Sequence, residues 1–272
     1  MSRNICITSV EGQTGFLIAE LLLTDEEFKK KVDSVTGLAF DPNHAKAKEL
    51  AGLGAVIVPH KPGREREVVE TLKKTGCDTI CLVPPARADK FDIAAELSSA
   101  AKKAGVNNML LISAAGCDYA ERDKQPRLRE FIDLETLVLS SKGEADTPLG
   151  NSPCVIRPKM RDIALVAAYV LSGKGPHGFD DKHRGQMMVV TGPMLCAGKE
   201  LAEAASKALG QTMEFENISE REAKRILRNQ ADIDDSEKEY ILEYYSLHPT
   251  EPDEFFRNYA GELRPKKKLR SS

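Results

Sequence analysis

The 272-residue sequence lacks any apolar run of the roughly 18 residues that a membrane-spanning helix needs. It also lacks an excess of positive charge, because 39 lysines and arginines stand against 42 acidic residues, for a net charge of −3. That balance argues against nucleic-acid binding as the main role. The first residues lead directly into a strand-like run, which does not resemble a secretory signal. We therefore expect a cytoplasmic protein without membrane or direct nucleic-acid contacts; a nuclear location is the alternative.

Cysteine and histidine are scarce and scattered, with six and five residues. Only Cys77 and Cys81 lie close together, and neither a second pair nor a neighbouring histidine completes a zinc-binding set. Several cysteines stand inside apolar runs, where Cys acts as a small hydrophobe. Histidines in loop-like stretches, such as His60, are expected at the surface. The sequence therefore predicts no metal site and a reducing compartment.

The beginning of the chain contains a pattern that is typical of nucleotide-binding proteins. Residues 5–8 predict a buried strand and residues 16–23 a mostly apolar helix, with Gly12 and Gly15 in the turn between them. This order opens a βαβ unit, in which a pyrophosphate meets the unpaired N–H groups at the helix N-terminus. The alternative is a strand, turn and helix that bind no ligand.

Two residues of this turn depart from the usual glycine-rich loop. Ser9 replaces the first glycine of the G-x-x-G-x-x-G spacing, although Ser is small enough for a tight turn. Glu11 adds a negative charge to a loop that would meet phosphates. Because like charges repel, Glu11 must point away from the phosphates or weaken cofactor binding.

Strands and helices then alternate as far as residue 158. The predicted later strands are 35–40, 55–58, 79–83, 109–112 and 154–156, and the helices between them are 45–50, 65–74, 91–104 and 128–139. Because such alternation forms right-handed crossovers, it predicts an α/β fold with a doubly wound parallel sheet of Rossmann type. Beyond it we predict a smaller mixed, mainly helical C-terminal lobe, with short strands at 187–190 and 213–215 and a last helix at 253–259. The predicted boundaries are 1–158 for the Rossmann-type domain, 159–262 for the lobe and 263–272 for a basic tail.

The order and spacing of these segments resemble the NmrA-like branch of the atypical short-chain dehydrogenases over almost the whole chain. The similar segments are 9–15, 41–50, 82–85, 112–115, 155–158, 162–164, 191–193, 200–210 and 252–259. The resemblance implies an NAD(P)-binding Rossmann-type domain. Some members of the family reduce small molecules, and others have lost catalysis and act as redox-sensing regulators that bind a partner protein.

The resemblance places a dinucleotide at the carboxyl ends of the strands, where parallel sheets bind their ligands. The candidate cofactor-binding residues are Ser9, Gly12, Gln13, Thr14, Gly15, Phe40, Asp41, His44, Lys46, Val83, Pro84, Pro85 and Ser113. Phe40 stands where NADP-preferring members usually carry arginine. His44 and Lys46 can pair with the 2′-phosphate of NADP instead, whereas Asp41 can accept the ribose 2′-hydroxyl of NAD. The family resemblance slightly favours NADP over NAD.

Each of these assignments has a purely structural alternative. Asp41 can be a turn residue before a proline, and His44 and Lys46 can form a solvated helix start. Pro84 and Pro85 can simply end a strand. Ser113 can be a strand-end residue whose hydroxyl is hydrogen-bonded within the protein.

Departures from the family pattern argue against catalysis by this chain, and no catalytic residue is assigned. Many active members carry a lysine four residues before the glutamate that Glu135 resembles, and Phe131 stands there. Tyr119 has no lysine four residues on, as a tyrosine–lysine proton donor would require. Only three residues separate Pro158 from Asp162, where the family has a longer insert that builds one wall of the substrate pocket. Hydride transfer benefits from an enclosed site.

The sequence therefore favours a cofactor-sensing or regulatory module with weak or no catalysis, which binds a dinucleotide and a regulatory protein partner. One alternative is an NAD(P)H-dependent oxidoreductase of a small hydrophobic substrate. The other is a scaffold without a cofactor.

Overall fold

The computed structural model describes residues 3–140, 154–158, 163–173, 183, 185–190, 198–216, 218–230 and 235–247. Contacts group the chain into two compact units, Met1–Thr191 and Gly192–Ser272. Three parts of the predicted organisation lie outside the described residues. They are the short connection at 159–161, the predicted helix at 253–259 and the basic tail at 263–272.

One parallel sheet of seven strands organises the first unit, in the order β3-β2-β1-β4-β5-β6-β7. The strands are β1 Asn4–Thr8, β2 Ser34–Ala39, β3 Val56–Pro59, β4 Thr79–Leu82, β5 Asn108–Ile112, β6 Cys154–Pro158 and β7 Met187–Val190. The helices are α1 Gln13–Thr24, α2 Glu26–Lys29, α3 Ala45–Gly52, α4 Glu65–Lys74, α5 Lys90–Ala104, α6 Pro126–Ser140 and α7 Ile163–Leu171. The predicted doubly wound parallel sheet is confirmed.

The strand order reverses between β1 and β4, and this reversal positions the site. From β1 the chain builds outward to β3, then returns across β1 and adds β4 on the other side. The loops after β1 and β4 therefore diverge at the carboxyl edge of the sheet. In open α/β sheets such a switch point is where ligands bind.

The central strands form because their sequences are apolar on both faces. Every residue of β4 and β5 is buried, whereas β3, at the edge, is partly exposed. Parallel strands covered by helices on both sides require such continuous apolar runs. On one face α1 contributes Phe16, Ile18 and Leu22 to the core. Gly105 ends α5, with a left-handed φ of 80°.

The first unit continues past residue 158, where we predicted the Rossmann-type domain to end. β7 joins the same sheet as a seventh parallel strand, with Val155 paired with Met187. Residues of α7, including Ala167 and Val170, are buried in the same core as α1. The local pattern of 187–190 predicts a strand, but it contains no signal for the strand with which it pairs.

The second unit contains α8 Gly198–Leu209, α9 Glu220–Arg228 and α10 Asp235–Tyr245. Ser219 caps α9 by accepting a hydrogen bond from the N–H of Glu222 at 3.3 Å. The predicted strand at 213–215 is wrong, because these residues have no ladder partner. The N–H of Met213 donates to a side chain, Ser206 Oγ, at 2.8 Å. In the described part of the chain, no helix is long and apolar enough to cross a membrane.

Candidate functional site

The turn between β1 and α1 is closed by backbone contacts that depend on glycine. The N–H of Gly12 donates to the carbonyl of Ser9 at 3.0 Å. Ser9 has a φ of 53°, so it adopts the left-handed conformation that glycine would take at that position. A Cβ on Gly15 would lie 2.5 Å from the Ser9 carbonyl oxygen, and only glycine allows so close an approach of helix to turn.

The start of α1 is open to an anion. Gly12 is the N-cap and has no side chain, so no side chain satisfies the N–H groups of the first turn. No acidic residue lies in that first turn. Gly12 and Gln13 are exposed, whereas Gly15 is buried beneath them. The turn therefore presents unpaired donors and the positive end of the helix dipole to solvent.

The carboxylate of Glu11 is directed to the end of β2. Its Oε1 accepts a hydrogen bond from the backbone N–H of Phe40 at 2.7 Å. Its Oε2 is buried and has no hydrogen-bond partner. Glu11 thus points to the residue that follows β2, and one of its oxygens retains its capacity to accept a hydrogen bond.

The residues that follow β2 make local contacts. Asp41 Oδ1 accepts from the N–H of Asn43 at 2.9 Å, as in a turn. His44 is the N-cap of α3, and its Nδ1 accepts from the N–H of Lys46 at 3.3 Å. Lys46 Nζ donates to Gln13 Oε1 at 2.8 Å, so α3 and the first turn of α1 are in direct contact. Asp41 and His44 therefore have the contacts of their structural alternatives, and Lys46 reaches the glycine turn.

The Phe40 ring contacts side chains from two further strand ends. Its centroid lies 5.3 Å from that of His60, which follows β3, and 5.2 Å from Cζ of Arg87, which follows β4. Arg87 is held by Asp89 through Nε–Oδ1 and Nη2–Oδ2 contacts of 2.8 and 2.9 Å. This ion pair lowers the pKa of Asp89.

His60 is buried, contrary to the expectation of a surface residue. Only 3% of the residue is exposed, and its backbone N–H donates to the carbonyl of Ala39 at 2.8 Å. Nε2 lies 3.8 Å from Glu96 Oε1. Burial lowers the pKa of His60, although Glu96 acts in the opposite direction. The imidazole is therefore neutral at pH 7. Sequence reasoning missed this burial because a short segment after a strand resembles any exposed loop.

Thr8 connects the two strands at the switch point. Its Oγ1 accepts from the N–H of Val83 at 2.8 Å and donates to the carbonyl of the same residue at 3.2 Å. These contacts hold Val83 beside β1, beyond the end of β4. Pro84 and Pro85 follow directly and are partly buried. We did not predict a role for Thr8; the available signal was a polar residue at the end of an apolar run.

At the end of β5, Ser113 is bound to a buried carboxylate. Its Oγ donates to Glu135 Oε1 at 2.6 Å, and Cys117 Sγ lies 3.7 Å from the same oxygen. Ser113 and Glu135 are 4% and 3% exposed. Because a serine hydroxyl has one proton, the proton of Ser113 is engaged by Glu135 rather than directed toward solvent.

A buried lysine lies beside Phe131, where active family members carry a lysine of their own. Lys90, at the start of α5, is 3% exposed, and its Nζ lies 5.1 Å from the Phe131 ring centroid. That Nζ is 2.5 Å from Glu130 Oε2 and 2.5 Å from the carbonyl of Arg127. The cation is therefore neutralised by α6. Nothing in the sequence distinguishes Lys90 from an ordinary surface lysine at a helix start.

Two curated relatives are similar to this chain. The NAD(P)H azoreductase of Xenophilus azovorans is 27% identical over 263 residues, which cover 88% of this chain and 86% of the relative. An NmrA-like family domain-containing protein of Dictyostelium discoideum is 26% identical over 140 residues, half of this chain and 44% of the relative. The chain is a homologue of the NmrA-like proteins. No family model matches it.

Solved structures with a similar fold superpose on most of the chain. An NADPH-dependent quinone oxidoreductase of Escherichia coli, complexed with NADPH, has a TM-score of 0.66 at 18% identity, and covers 94% of both chains. A triphenylmethane reductase of Citrobacter sp., complexed with NADP(H), has a TM-score of 0.67 at 17% identity, and covers 96% of both chains. These likenesses confirm the predicted Rossmann-type fold.

The parallel sheet brings part of the predicted site together. Contacts join the glycine turn to the end of β2 through Glu11 and Phe40, and to α3 through Gln13 and Lys46. The end of β4 is attached to β1. Ser113, at the end of β5, is bonded to α6. Among the described residues, no group of three or more histidine, cysteine, aspartate and glutamate side chains is arranged to hold a metal ion.

Proposed function

We propose that this NmrA-like protein binds an NAD(P) dinucleotide and acts as a cofactor-sensing module with weak or no catalysis. The observation that carries the binding proposal is the approach of Gly15 to Ser9, which leaves no room for a Cβ at the base of the turn. Such closeness packs the start of α1 against the end of β1, and the N–H groups at that helix N-terminus can then meet a pyrophosphate. The NADPH and NADP(H) complexes of proteins with the same fold support this assignment.

The residues proposed to contact the dinucleotide lie just after the carboxyl ends of the strands. The residues proposed to hold the pyrophosphate are Ser9, Gly12, Gln13, Thr14 and Gly15. The residues proposed at the adenosine ribose are Phe40, Asp41, His44 and Lys46. Those proposed at the nicotinamide side are Val83, Pro84, Pro85 and Ser113. When bound in its reduced form, the dinucleotide would supply a hydride.

Weak or absent catalysis is proposed because the described groups near the nicotinamide side are poor proton donors. Ser113 donates its hydroxyl proton to Glu135 at 2.6 Å. Phe131 has no proton to give, and the neighbouring Lys90 is paired with Glu130 at 2.5 Å. A protein that binds the cofactor without consuming it can report the ratio of its redox forms. A regulatory protein partner and a cytoplasmic or nuclear location belong to this proposal.

Calorimetric titration of the full chain with NADPH and with NADH tests the binding proposal. Saturable heat is expected with at least one dinucleotide. Absence of heat with both would refute the sensing role and favour a scaffold without a cofactor. If binding occurs, the sensing role further predicts that bound NADPH is not consumed when candidate acceptors are added.

The second candidate function is an NAD(P)H-dependent reductase of small, apolar acceptors. It is favoured by the similarity to the azoreductase, which extends over 88% of this chain. In that reaction water would have to supply the proton, because the described groups near the nicotinamide side are poor donors. Assays of NADPH and NADH absorbance against a panel of azo dyes, quinones and triphenylmethane dyes separate the two functions. Steady turnover supports the reductase, and bound cofactor without turnover supports the sensor.

A further inference from the structure

We infer that Glu11 makes the site prefer NAD(H), which has a free adenosine ribose, over NADP(H), which carries a 2′-phosphate. The inference rests on the proposed dinucleotide site and assigns it a specificity-determining residue. It also reverses the slight preference for NADP that the family resemblance implies.

The carboxylate of Glu11 lies where Rossmann-type proteins discriminate between the two cofactors. They do so just after the second strand, where an acid accepts the ribose 2′-hydroxyl of NAD and an arginine binds the 2′-phosphate of NADP. Phe40 occupies that position here, and its N–H donates to Glu11 Oε1 at 2.7 Å. The acid at the end of β2 is therefore supplied by the glycine turn rather than by the strand itself.

The second oxygen of the carboxylate needs a donor. Glu11 Oε2 is buried and has no hydrogen-bond partner, which is costly for an ionised oxygen. A ribose hydroxyl is a donor and would satisfy it, provided that the bound dinucleotide displaces the atoms that cover this oxygen. A 2′-phosphate has no proton to offer when fully ionised, and it would compete with Glu11 for the N–H of Phe40.

The cations close to this strand end are already engaged. Arg87, over the Phe40 ring, forms two contacts with Asp89 at 2.8 and 2.9 Å. Lys46 donates to a glutamine side chain at 2.8 Å. Neutral His60 adds no charge. A 2′-phosphate would therefore meet a carboxylate, and Arg87 or Lys46 would have to share or leave an exposed contact in order to pair with it.

Asp41 is the alternative acid, since it follows Phe40 directly in the sequence. One oxygen of each acid accepts a backbone N–H, Asp41 Oδ1 from Asn43 at 2.9 Å and Glu11 Oε1 from Phe40 at 2.7 Å, so burial rather than hydrogen bonding separates them. Asp41 is exposed, so water screens its charge more than that of the part-buried Glu11. We therefore assign the discrimination to Glu11.

The test measures the dissociation constants of NADH and NADPH for the full-length wild type and for Glu11→Gln. Glutamine keeps the length of the side chain and can still accept the N–H of Phe40 through its amide oxygen. Glu26→Gln is the matched control, because it removes the same charge from an exposed side chain on α2, next to Lys30. Asp41→Asn tests the alternative acid.

We expect wild type to bind NADH about tenfold more tightly than NADPH, the ratio that roughly 1.4 kcal/mol of repulsion produces. Glu11→Gln should reduce this ratio by about the same factor, mainly through tighter NADPH binding. Glu26→Gln and Asp41→Asn should leave it within about twofold. Competition by AMP and 2′-phospho-AMP should show the same pattern, which places the effect at the adenosine ribose.

The outcomes that contradict the inference differ from those that contradict the proposed function. Tighter binding of NADPH by wild type, or an unchanged ratio in Glu11→Gln, overturns the role of Glu11 and leaves dinucleotide binding intact. The role of Glu11 is also overturned if Asp41→Asn, rather than Glu11→Gln, changes the ratio of the NADH and NADPH dissociation constants. If wild type binds neither dinucleotide, the proposed function falls and the inference falls with it. Thermal unfolding of each variant shows whether a lost preference reflects a lost fold.

Discussion

A single methyl group at residue 15 would test the geometry of the β1–α1 turn. The Cβ of an alanine there would lie 2.5 Å from the carbonyl oxygen of Ser9 and 3.0 Å from the carbonyl oxygen of Thr8. Ordinary contacts of a carbon atom are about 3.5 Å, so the closer oxygen is roughly 1 Å too near. Both neighbours are backbone atoms, which cannot rotate away. The helix or the turn must therefore move.

The expected cost follows from two opposing effects. Overpacking of a well-packed region costs about 1–3 kcal/mol, and this contact is at the severe end. Alanine gains up to about 1 kcal/mol over glycine in a helix. We expect Gly15→Ala to lower the free energy of unfolding by about 2 kcal/mol. Urea unfolding of the full chain, followed by circular dichroism, measures it.

Gly52 provides a matched control for the same substitution. It is the last residue of α3, and a Cβ there would meet nothing within 4 Å. Gly52→Ala should therefore be neutral or stabilise the protein by up to about 1 kcal/mol. Equal losses at both positions would show a general sensitivity to glycine replacement and refute the assignment of the cost to the contact with Ser9.

The same substitution connects the packing of the turn with cofactor binding. Because the N–H groups of α1 would move relative to the turn, the dissociation constant of the better-bound dinucleotide should rise at least about tenfold in Gly15→Ala. Gly52→Ala should bind as wild type does. A Gly15→Ala protein that is as stable as wild type and binds equally well would refute the close packing on which the proposed site depends.

Three further changes have expected outcomes, each measured by urea unfolding. Ser9→Gly should raise the free energy of unfolding by about 1 kcal/mol, because glycine tolerates the φ of 53° without strain. A lower free energy of unfolding would contradict this prediction. Thr8→Val should lower it by about 1–3 kcal/mol, since the buried N–H and C=O of Val83 lose their partner; an unchanged value would mean that water replaces the hydroxyl. The pKa of His60 is lowered in the folded state, so the unfolded state takes up the proton first. Stability should therefore fall as pH drops below about 6.5 toward the folded-state pKa, and His60→Asn should reduce that slope; an equal slope in both proteins would assign it to other groups.

Much of the fold is predictable because the central strands are apolar on both faces. β4 and β5 are fully buried, and their sequences contain the continuous apolar runs that such burial requires. Stops such as Gly105, with its left-handed φ, are local signals. The place of β7 beside β6 is not a local property, because Val155 and Met187 are far apart in the sequence. For the same reason, periodicity could not assign β7 to the main sheet.

The site was only partly predictable, for a similar reason. The glycine turn is a contiguous motif, and its position follows from the strand and helix that flank it. The hydrogen bond of Glu11 to the N–H of Phe40 joins residues 29 positions apart. Lys90 and Glu130 are also brought together by helix packing rather than by spacing. Such contacts decide which charges are free to meet a ligand, and a single sequence contains no direct signal for them.

The departures from the family pattern have separate consequences. Ser9 adopts the conformation that a glycine would take, and the turn still closes through the 3.0 Å contact from the N–H of Gly12. Glu11 points to β2, so its charge acts at the ribose end of the proposed site rather than in the first turn of α1. The changes on the nicotinamide side have no such compensation, because Phe131 offers no proton and the proton of Ser113 is engaged by Glu135. In the proposed function, binding depends on the first group of residues and proton transfer on the second, so we expect this chain to retain a dinucleotide while reducing substrates slowly or not at all.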